Sequence, residues 1–514
     1  MKVIIPMSGV GKRFVESGYT DPKPLIDVDG VPMIYHVIDL FPNETSFHFI
    51  CNEKHLAETH MREILLKKVP TATITSVPNE GRKGPVHAVS YIFDQIDDDE
   101  EVIVSYCDYG TVWNYRKFLE TMRNSSADGG IPCYIGFHPH MLGTDHYAYV
   151  KHTDMRVEDI QEKKPFTSSK MEEYASNGTY YFRSGAIVKK YFQKLMDLDM
   201  SLNGEYYVSM VYKLMLEDSL NVRVFQIEKM LQWGTPRDLE EYKQWSEFFR
   251  NKKKNPLRFR GIEQMTLILP MAGAGSRFKM VGYNLPKPLL PVENEPMVFK
   301  AVDCLPPCLK NTFICLYEHM QNYPTINKLL LDKYTAHILQ IPSVTQGQAC
   351  TCEIGINNSV IEDNEPILIS ACDNGAYYDV EKFYNMIDDK TIDVIVWSFT
   401  NNPTSKLYPH MYAWLDVDPD GNILDVSIKK PFSDREATHC IIGTMYFRNK
   451  HIYNEGLQEI YEKNIRTNGE FYVDNLLVPL IQKGYKVKVF EVKNYLCWGT
   501  PNDYKTYCYW YEYF

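Results

Sequence analysis

Short apolar runs alternate along the chain with longer stretches in which apolar residues recur at helical spacing. In the first half this pattern predicts strands at 3–5, 47–51 and 102–105, and helices at 33–38 and 55–67. Each half also ends in an aromatic segment that predicts a helix, at 245–249 and 510–514. A succession of strand, helix and strand predicts a mainly parallel sheet with right-handed crossovers and helices on its faces. Ligands bind such sheets at the carboxyl ends of the strands, where the glycine turn after residue 7 and Asp108 should lie together.

The chain contains one long sequence twice. The segment Ile-Pro-Met-Ser-Gly-Val-Gly-Lys-Arg-Phe at 5–14 returns as Leu-Pro-Met-Ala-Gly-Ala-Gly-Ser-Arg-Phe at 269–278. Pro-Lys-Pro-Leu at 22–25, Asn-Gly-Glu at 203–205 and Trp-Gly-Thr-Pro at 233–236 each return 264 or 265 residues later. Solenoid repeats span roughly 20–50 residues, so each of these copies is a whole domain. We therefore predict tandem domains at 1–250 and 265–514, joined by a basic linker at 251–264 that Pro and Gly interrupt.

Composition narrows the class of protein. With 514 residues, 44% of them hydrophobic, the chain has enough apolar residues for two cores. A net charge of -11 argues against a nucleic-acid binder that relies on a basic surface. No apolar stretch approaches the roughly 18 residues of a membrane span. The twelve cysteines form no Cys-x-x-Cys pair and the chain opens directly on a strand, so we expect reduced thiols, no signal peptide and a cytoplasmic location.

The repeated motifs are typical of a phosphate site. A glycine turn with a fixed arginine is followed by a lysine between two prolines, and each proline restrains the backbone on either side of that lysine. The turn is not a dinucleotide fingerprint, because Phe14 and Phe278 stand where the third glycine would be. It is not a P-loop either, because Arg13 follows Gly11-Lys12.

Gly-x-Gly-x-Arg-Phe followed by Pro-Lys-Pro-Leu resembles the signature of the nucleotidyltransferases that make nucleotide-activated sugars, and the resemblance covers both halves. That family includes glucose-1-phosphate thymidylyltransferases, mannose-1-phosphate guanylyltransferases and related cytidylyltransferases. Its reaction joins an NTP to a phosphate monoester and releases pyrophosphate. The resemblance implies an α/β protein of two tandem nucleotidyltransferase domains, each a mainly parallel, Rossmann-like mixed sheet flanked by helices. The Trp-Gly-Thr-Pro ending is most similar to a capsule-associated bacterial branch, some of whose members activate phosphates that are not sugars.

The resemblance also implies a role for each matching residue. The catalytic residues it implies are Arg13, Lys23 and Lys164 in the first half and Arg277, Lys287 and Lys430 in the second. The nucleotide-binding residues it implies are Ser8, Gly9, Gly11, Gly84, Ala272, Gly273, Gly275 and Gly347. The acceptor-binding residues it implies are Gly178, Thr179, Glu205, Gly443, Thr444 and Glu470. It implies that Asp108 and Asp373 hold Mg²⁺, the expected cofactor.

The sequence departs from the family pattern at four places. Lysines stand at 163 and 429, where the family has the glutamate of Glu-Lys-Pro. The second metal-binding aspartate is glutamine at 232 and cysteine at 497, and a glycine that packs against the sugar is alanine at 148 and 413. Serine at 209 matches aspartate at 474. These changes weaken a hexose 1-phosphate as the acceptor and favour a single protein carboxylate at each metal.

The expected reaction needs no general base, because a phosphate monoester is already mostly a dianion at neutral pH. Catalysis should consist of aligning two anions and neutralising their charge. The expected partners are an NTP and a phosphorylated small molecule, with no nucleic acid and no membrane; homo-oligomerisation stays open.

Three hypotheses stay open at this point. Both halves are active, on the same or on different substrates. Alternatively, one half is a binding or regulatory module. The third hypothesis, a GT-A glycosyltransferase, is disfavoured because neither Asp108 nor Asp373 belongs to an Asp-x-Asp motif.

Overall fold

The computed structural model describes residues 1–400, 402, 405, 408–432 and 438–514. The chain divides into two compact units, Met1–Ser246 (unit 1) and Glu247–Phe514 (unit 2). Within the described ranges, no helix has both the length and the apolar character that a membrane crossing requires.

Unit 1 alternates strands and helices. Its strands are β1 (Lys2–Met7), β2 (Asp27–Val28), β3 (Val31–Pro32), β4 (Phe47–Asn52), β5 (Thr73–Val77), β6 (Val102–Ser105), β7 (Tyr109–Val112), β8 (Gly129–Tyr134), β9 (Ala148–Thr153), β10 (Arg156–Glu162), β11 (Tyr174–Ser176), β12 (Thr179–Phe182), β13 (Val222–Gln226) and β14 (Lys229–Gln232). Its helices are α1 (Lys12–Glu16), α2 (Met33–Ile38), α3 (Glu53–Glu58), α4 (Met61–Lys68), α5 (Pro85–Ser90), α6 (Tyr115–Asn124), α7 (Gly185–Asp197), α8 (Val208–Glu217) and α9 (Pro236–Lys254), the last of which continues past Ser246.

Unit 2 repeats this alternation. Its strands are β15 (Glu263–Met271), β16 (Pro291–Val292), β17 (Glu295–Pro296), β18 (Cys308–Leu316), β19 (Ala336–Ile341), β20 (Ile367–Ile369), β21 (Asn374–Tyr377), β22 (Val394–Phe399), β23 (Ala413–Val417), β24 (Ile423–Ile428), β25 (His439–Phe447), β26 (Val487–Glu491) and β27 (Asn494–Cys497). Its helices are α10 (Ser276–Met280), α11 (Met297–Asp303), α12 (Tyr317–Asn322), α13 (Thr325–Lys333), α14 (Gln348–Asn357), α15 (Val380–Asp388), α16 (Lys450–Glu462), α17 (Leu477–Gln482) and α18 (Pro501–Tyr513).

Both units build the same mixed α/β sheet. The central order β5-β4-β1-β6-β12-β8-β13 of unit 1 matches the order β19-β18-β15-β20-β25-β22-β26 of unit 2. Strands β5, β4, β1 and β6 pair in parallel, as expected for the side that carries the glycine turn. Strand β12 then runs antiparallel between β6 and β8, and β8 pairs with β13 in parallel. The predicted mixed fold is confirmed, with more antiparallel pairing than the alternation of strands and helices indicates.

Alternating side chains of the central strand β1 enter two different cores. Ile4 packs in one buried cluster, and Val3 and Ile5 pack in another. Successive side chains of a strand point to opposite faces, so helices must cover both faces of this sheet. Helix α5 supplies Val86 to the first cluster and α2 supplies Ile34 to the second.

Two sequence-based predictions need correction. The single helix predicted at 55–67 is two helices, α3 and α4, separated by Thr59 and His60. Thr59 is extended and ends the first helix, and its hydroxyl accepts a hydrogen bond from the Met61 amide (3.3 Å) at the start of the second. The linker predicted at 251–264 is shorter in the structure, because α9 ends at Lys254 and β15 begins at Glu263.

Candidate active site

The glycine turn links β1 to the short helix α1. Gly11 precedes that helix with a φ of +67°, and Gly275 occupies the same place in unit 2 with a φ of +63°. Glycine adopts this left-handed backbone conformation without strain. A Cβ on Gly11 would also lie 3.3 Å from the Cβ of Lys23. The second glycine of the motif therefore lets the lysine segment approach the turn.

The proline-framed lysine reaches the end of the neighbouring strand. Lys23 Nζ forms an ion pair with the Asp108 carboxylate and donates to the Gly234 carbonyl (3.0 Å). In unit 2, Lys287 pairs with Asp373. Burial opposes the charge of Lys287, but the adjacent Asp373 carboxylate holds the pKa of that lysine above its usual value. Prolines on both sides fix the backbone that aims each ammonium group.

A two-stranded ribbon brings the Trp-Gly-Thr-Pro motif to this carboxylate. Strand β7 follows Asp108 and pairs antiparallel with β14, which leads into Trp233. The Trp233 amide donates to the Asp108 carbonyl (3.2 Å), and the Trp498 amide donates to that of Asp373 (2.9 Å). A Cβ on Gly234 would lie 3.1 Å from both Asp108 Oδ2 and Gln232 Oε1. These two oxygens therefore face the same small space.

The predicted base-side loop packs against the Asn-Gly-Glu segment. Gly84 has a φ of +91°, and a Cβ there would lie 2.8 Å from the Tyr206 nitrogen. The Tyr206 amide donates to the Lys83 carbonyl (2.8 Å), and the Val86 amide donates to the Tyr206 carbonyl (3.2 Å). Gly347 makes the same close approach to the Phe471 backbone in unit 2. Only glycine fits these two positions without displacing the neighbouring chain.

Two cavities of unit 1 meet at the ion pair. The first, with a volume of about 400 Å³, is lined by Ser8, Gly9, Gly11, Arg13, Lys23, Gly84, Asp108 and Glu205 among the predicted site residues. The second, with a volume of about 340 Å³, is lined by Arg13, Asp108, Gly178 and Glu205 among the same set. Arg13, Asp108 and Glu205 therefore border both cavities. Thr179 lies behind the second cavity, where its buried hydroxyl bonds to that of Tyr109.

Arg13 borders both cavities with an uncommitted side chain. The guanidinium group of this exposed residue has no hydrogen bond or ion pair with any residue that the structure describes. The same holds for Arg277 within that part of the chain. An unpaired guanidinium beside a cavity can bind a phosphate with two parallel hydrogen bonds.

Sequence reasoning missed the lysine that reaches the second cavity. The predicted Lys164 is exposed and does not line it, whereas Lys163, with a φ of +54°, does. Lys163 Nζ donates to the Tyr207 hydroxyl (2.5 Å), which in turn donates to Glu205. The signal in the sequence was the second lysine beside the first, but only the tertiary structure shows that Lys163 lines the cavity and contacts Tyr207.

Arg82 and Asn52 also belong to the site and were not predicted. Arg82 Nη1 donates to the Ser8 carbonyl (2.7 Å), and so does Asn52 Nδ2 (3.1 Å). Both residues therefore hold the carbonyl that opens the glycine turn. Arg82 lines the first cavity directly before the Gly84 turn, and that adjacency was the available signal.

In unit 2 the predicted residues occupy equivalent places on the repeated elements. Gly273 and Gly275 form the turn after β15, Ala272 is buried beside it, and the Thr444 hydroxyl bonds to that of Ser370 (2.8 Å). Gly443 has a φ of +95°. Glu470 and Lys430 are exposed. Lys429, with a φ of +69°, repeats the backbone conformation of Lys163.

The donor atoms beside Asp108 and Asp373 decide whether each site suits magnesium. Around Asp108 these are carboxylate and amide oxygens, from Asp108 and Gln232, which suit a hard cation. In unit 2, a Cβ on Gly499 would lie 3.4 Å from Asp373 Oδ2 and 3.6 Å from Cys497 Sγ, a softer donor. No group of three or more His, Cys, Asp or Glu side chains arranged to hold a metal occurs among the described residues. The residues therefore fit one carboxylate per ion, with phosphate oxygens and water as the other ligands.

Three solved structures similar to this chain each span about half of it. A nucleoside-diphosphate-sugar pyrophosphorylase from Vibrio cholerae RC9 is 20% identical, and the match covers 47% of this chain and 99% of that one with a TM-score of 0.39. The inositol-1-phosphate CTP transferase from T. maritima is 14% identical, with 49% and 98% covered and a TM-score of 0.39. A UDP-glucose pyrophosphorylase from Acinetobacter baumanii is 16% identical, with 50% and 94% covered and a TM-score of 0.37. Residues 2–243, nearly all of unit 1, match the family model described as nucleotidyl transferase.

Proposed function

We propose that this chain is a nucleotidyltransferase that transfers a nucleoside monophosphate from an NTP to a phosphate monoester. An oxygen of the acceptor phosphate attacks the α-phosphorus of the NTP. The bond from that phosphorus to the bridging oxygen breaks, and pyrophosphate leaves. The observation that supports this most directly is the position of the Lys23–Asp108 pair and the unpaired Arg13, where two cavities meet. The family match of residues 2–243 supports the same general reaction.

The residues at the junction suit a reaction between two anions. Arg13 supplies positive charge beside both cavities, Lys23 supplies it in the first, and Lys163 supplies it in the second. Such fixed charges act by aligning the reactants and by stabilising the charge that develops in the transition state. Asp108, with Gln232 beside it, would hold magnesium. When bound, that ion would neutralise charge on the triphosphate.

We further propose that both units are active and that they take different acceptors. The arginine, the Pro-Lys-Pro lysine and the strand-end aspartate recur in both units, which supports a common nucleotide chemistry. The walls of the acceptor side differ, because Tyr106 and Tyr180 of unit 1 correspond to alanine and methionine in unit 2. The resemblance of the Trp-Gly-Thr-Pro ending supports a role in supplying precursors for capsular or other cell-surface glycans.

The test is a pyrophosphate-release assay on the full chain. Each of ATP, GTP, CTP, UTP and dTTP is combined with a panel of sugar phosphates, phosphocholine and glycerol phosphate. The Lys23→Ala and Lys287→Ala variants assign each activity to a unit. Loss of one activity in each variant supports two active units, whereas a Lys287→Ala variant that keeps every activity supports a binding or regulatory unit 2. No pyrophosphate release with any combination would refute the proposal.

A further inference from the structure

The second cavity of unit 1 carries a carboxylate that the reaction described above does not use. Glu162 lines this cavity at the end of β10, and its Oε2 accepts a hydrogen bond from the Ser209 hydroxyl (2.6 Å). Burial raises the pKa of the Glu162 carboxyl, and the bond from Ser209 and the positive charge of Lys163 act in the opposite direction without cancelling that rise. The negative charge of Glu162 is therefore poorly solvated.

The other two carboxylates of the cavity are better compensated. Asp108 forms an ion pair with Lys23, and Glu205 is joined through the Tyr207 hydroxyl to the ammonium of Lys163. Glu162 has a hydroxyl partner and no ion pair among the described residues. A charge of this kind is stabilised when a ligand supplies the opposite charge.

Tyrosines line the same cavity as this carboxylate. Tyr106, Tyr180 and Tyr207 are among them, and burial, with a smaller contribution from the charge of Glu162, raises the pKa of all three hydroxyls. Tyr106 and Tyr180 pack edge to face, with ring centroids 5.8 Å apart. Lys163 Nζ lies 4.2 Å from the centroid of the Tyr207 ring, so one ammonium group already rests on a tyrosine here. Aromatic faces combined with a carboxylate form a recognised environment for ammonium ligands.

We infer that unit 1 takes an acceptor that carries an ammonium group as well as its phosphate, and that Glu162 with Tyr106 and Tyr180 binds the ammonium end. Arg13 and Glu162, which form no ion pair with any residue that the structure describes, then match the two ends of a zwitterion. This inference rests on the proposed function only in assuming that the phosphate of the acceptor reacts with the NTP. Recognition of the ammonium group does not depend on that reaction.

Unit 2 provides an internal comparison. The residues that match Glu162, Tyr106 and Tyr180 there are isoleucine, alanine and methionine, while Tyr207 and Lys163 have counterparts in Tyr472 and Lys429. Unit 2 therefore lacks the ammonium site at these positions. It places a carboxylate at Asp474 instead, where unit 1 has Ser209.

Binding to the full chain tests the inference without requiring turnover. Titration calorimetry compares phosphocholine with 3,3-dimethylbutyl phosphate, which has the same shape but carbon in place of the charged nitrogen. Phosphoethanolamine and propyl phosphate repeat the comparison for a primary ammonium and show which kind of ammonium the site prefers. We expect at least one ammonium ligand to bind about tenfold more tightly than its neutral counterpart. We expect Glu162→Gln to reduce that preference to less than about threefold.

A second variant shows whether a loss of preference in Glu162→Gln reflects the ammonium site or misfolding of that variant. Tyr180→Met introduces the residue that unit 2 carries, and it should lower the ratio of ammonium-ligand affinity to neutral-ligand affinity. Equal binding of charged and neutral ligands, binding of none of the four, tighter binding of glucose 1-phosphate, or an unchanged preference in both variants would overturn the inference.

Pyrophosphate release with sugar phosphates but no ammonium preference would refute the inference alone. An ammonium preference that needs Glu162, without pyrophosphate release from any NTP, would refute the proposed function alone.

Discussion

The ammonium of Lys23 forms an ion pair with the carboxylate of Asp108, a residue 85 positions further along the chain. Lys287 and Asp373 form the same pair across 86 positions. In each unit, a lysine between two prolines thus meets the aspartate that follows a buried strand. The pair puts a cation and a carboxylate at one point, which is the chemistry that a triphosphate with a divalent ion requires.

Removing either lysine should remove the activity of its own unit. We expect Lys23→Ala to lower kcat for one acceptor by about a hundred- to a thousandfold, because losing one aimed charge costs roughly 3–4 kcal/mol of barrier. Pyrophosphate release is the measurement. Lys12→Ala is the matched control, since the Lys12 side chain is 82% exposed and its nearest charge is Glu16 on the same helix. A Lys23→Ala variant that loses less than about tenfold would contradict the site assignment.

Asp108 should set the requirement for magnesium. We expect Asp108→Asn to lower kcat by roughly a hundredfold and to raise the magnesium concentration needed for half-maximal rate, because the amide is a weaker ligand than the carboxylate. Chelation with EDTA should abolish the activity of the wild-type chain. Asp197→Asn, an exposed substitution on α7, serves as the control. An unchanged magnesium dependence in Asp108→Asn would remove this residue from the metal site.

A side chain at Gly84 should impair the site for two reasons, its positive φ and the close approach of the Tyr206 backbone. Gly84 and Gly30 have φ values of +91° and +90°, but a Cβ on Gly30 meets nothing within 4 Å, whereas one on Gly84 meets the Tyr206 backbone. Each Gly→Ala change should cost about 1–3 kcal/mol of stability for the positive φ. Gly84→Ala should in addition raise KM for the NTP by about tenfold. Equal KM values for the two variants would contradict a nucleotide-binding role for the loop.

Asp474 should make the stability of the chain pH-dependent. Burial raises the pKa of this carboxyl from 3.8 to about 6, against the opposing influence of Lys429. The folded chain therefore holds the proton more tightly than the unfolded chain, and the stability from this group falls as the pH rises from about 4 to 6. Relative to wild type, Asp474→Asn should gain on the order of 2–3 kcal/mol between pH 4 and pH 7. Urea unfolding across this range measures the difference.

Asp474→Ser supplies a second variant, because serine is the residue that unit 1 carries at this position. It should show the same gain with pH, whatever its absolute stability. A stability difference from wild type that stays constant between pH 4 and pH 7 in both variants would rule out the shifted carboxyl.

Thr500 should stabilise the last helix of unit 2 as its N-cap. Its hydroxyl accepts a hydrogen bond from the Asp503 amide (3.2 Å) and donates to the Asp503 carboxylate (2.6 Å). We expect Thr500→Ala to lower the free energy of unfolding by about 1 kcal/mol and Thr500→Ser to preserve it. Urea denaturation compares the three proteins. Similar losses in the alanine and serine variants would show that packing of the methyl group, and not the cap, carries the effect.

Much of the fold follows from local sequence. The strands predicted at 3–5, 47–51 and 102–105 lie within β1, β4 and β6, because buried strands between turns produce apolar runs that local reading detects. The break between α3 and α4 escaped prediction, because the residue types around Thr59 fit a helical pattern and only its extended backbone ends the first helix. The antiparallel direction of β12 in the middle of the sheet could not be predicted from its own residues. It depends on pairing with β6, a strand far away in the sequence.

The sequence by itself determined the duplication, the glycine turns and the cationic motifs, because each is a short segment whose residue types impose the chemistry. Only the tertiary structure decided which residues meet. It paired Lys23 with Asp108, turned Lys163 inward in place of Lys164, and put Glu162 among tyrosines from three separate segments. Such contacts depend on strand order and on single backbone angles, and a linear pattern contains neither. The physical reason is that burial and the distance to other charges set the pKa of a charged group. Both are fixed only when the chain folds.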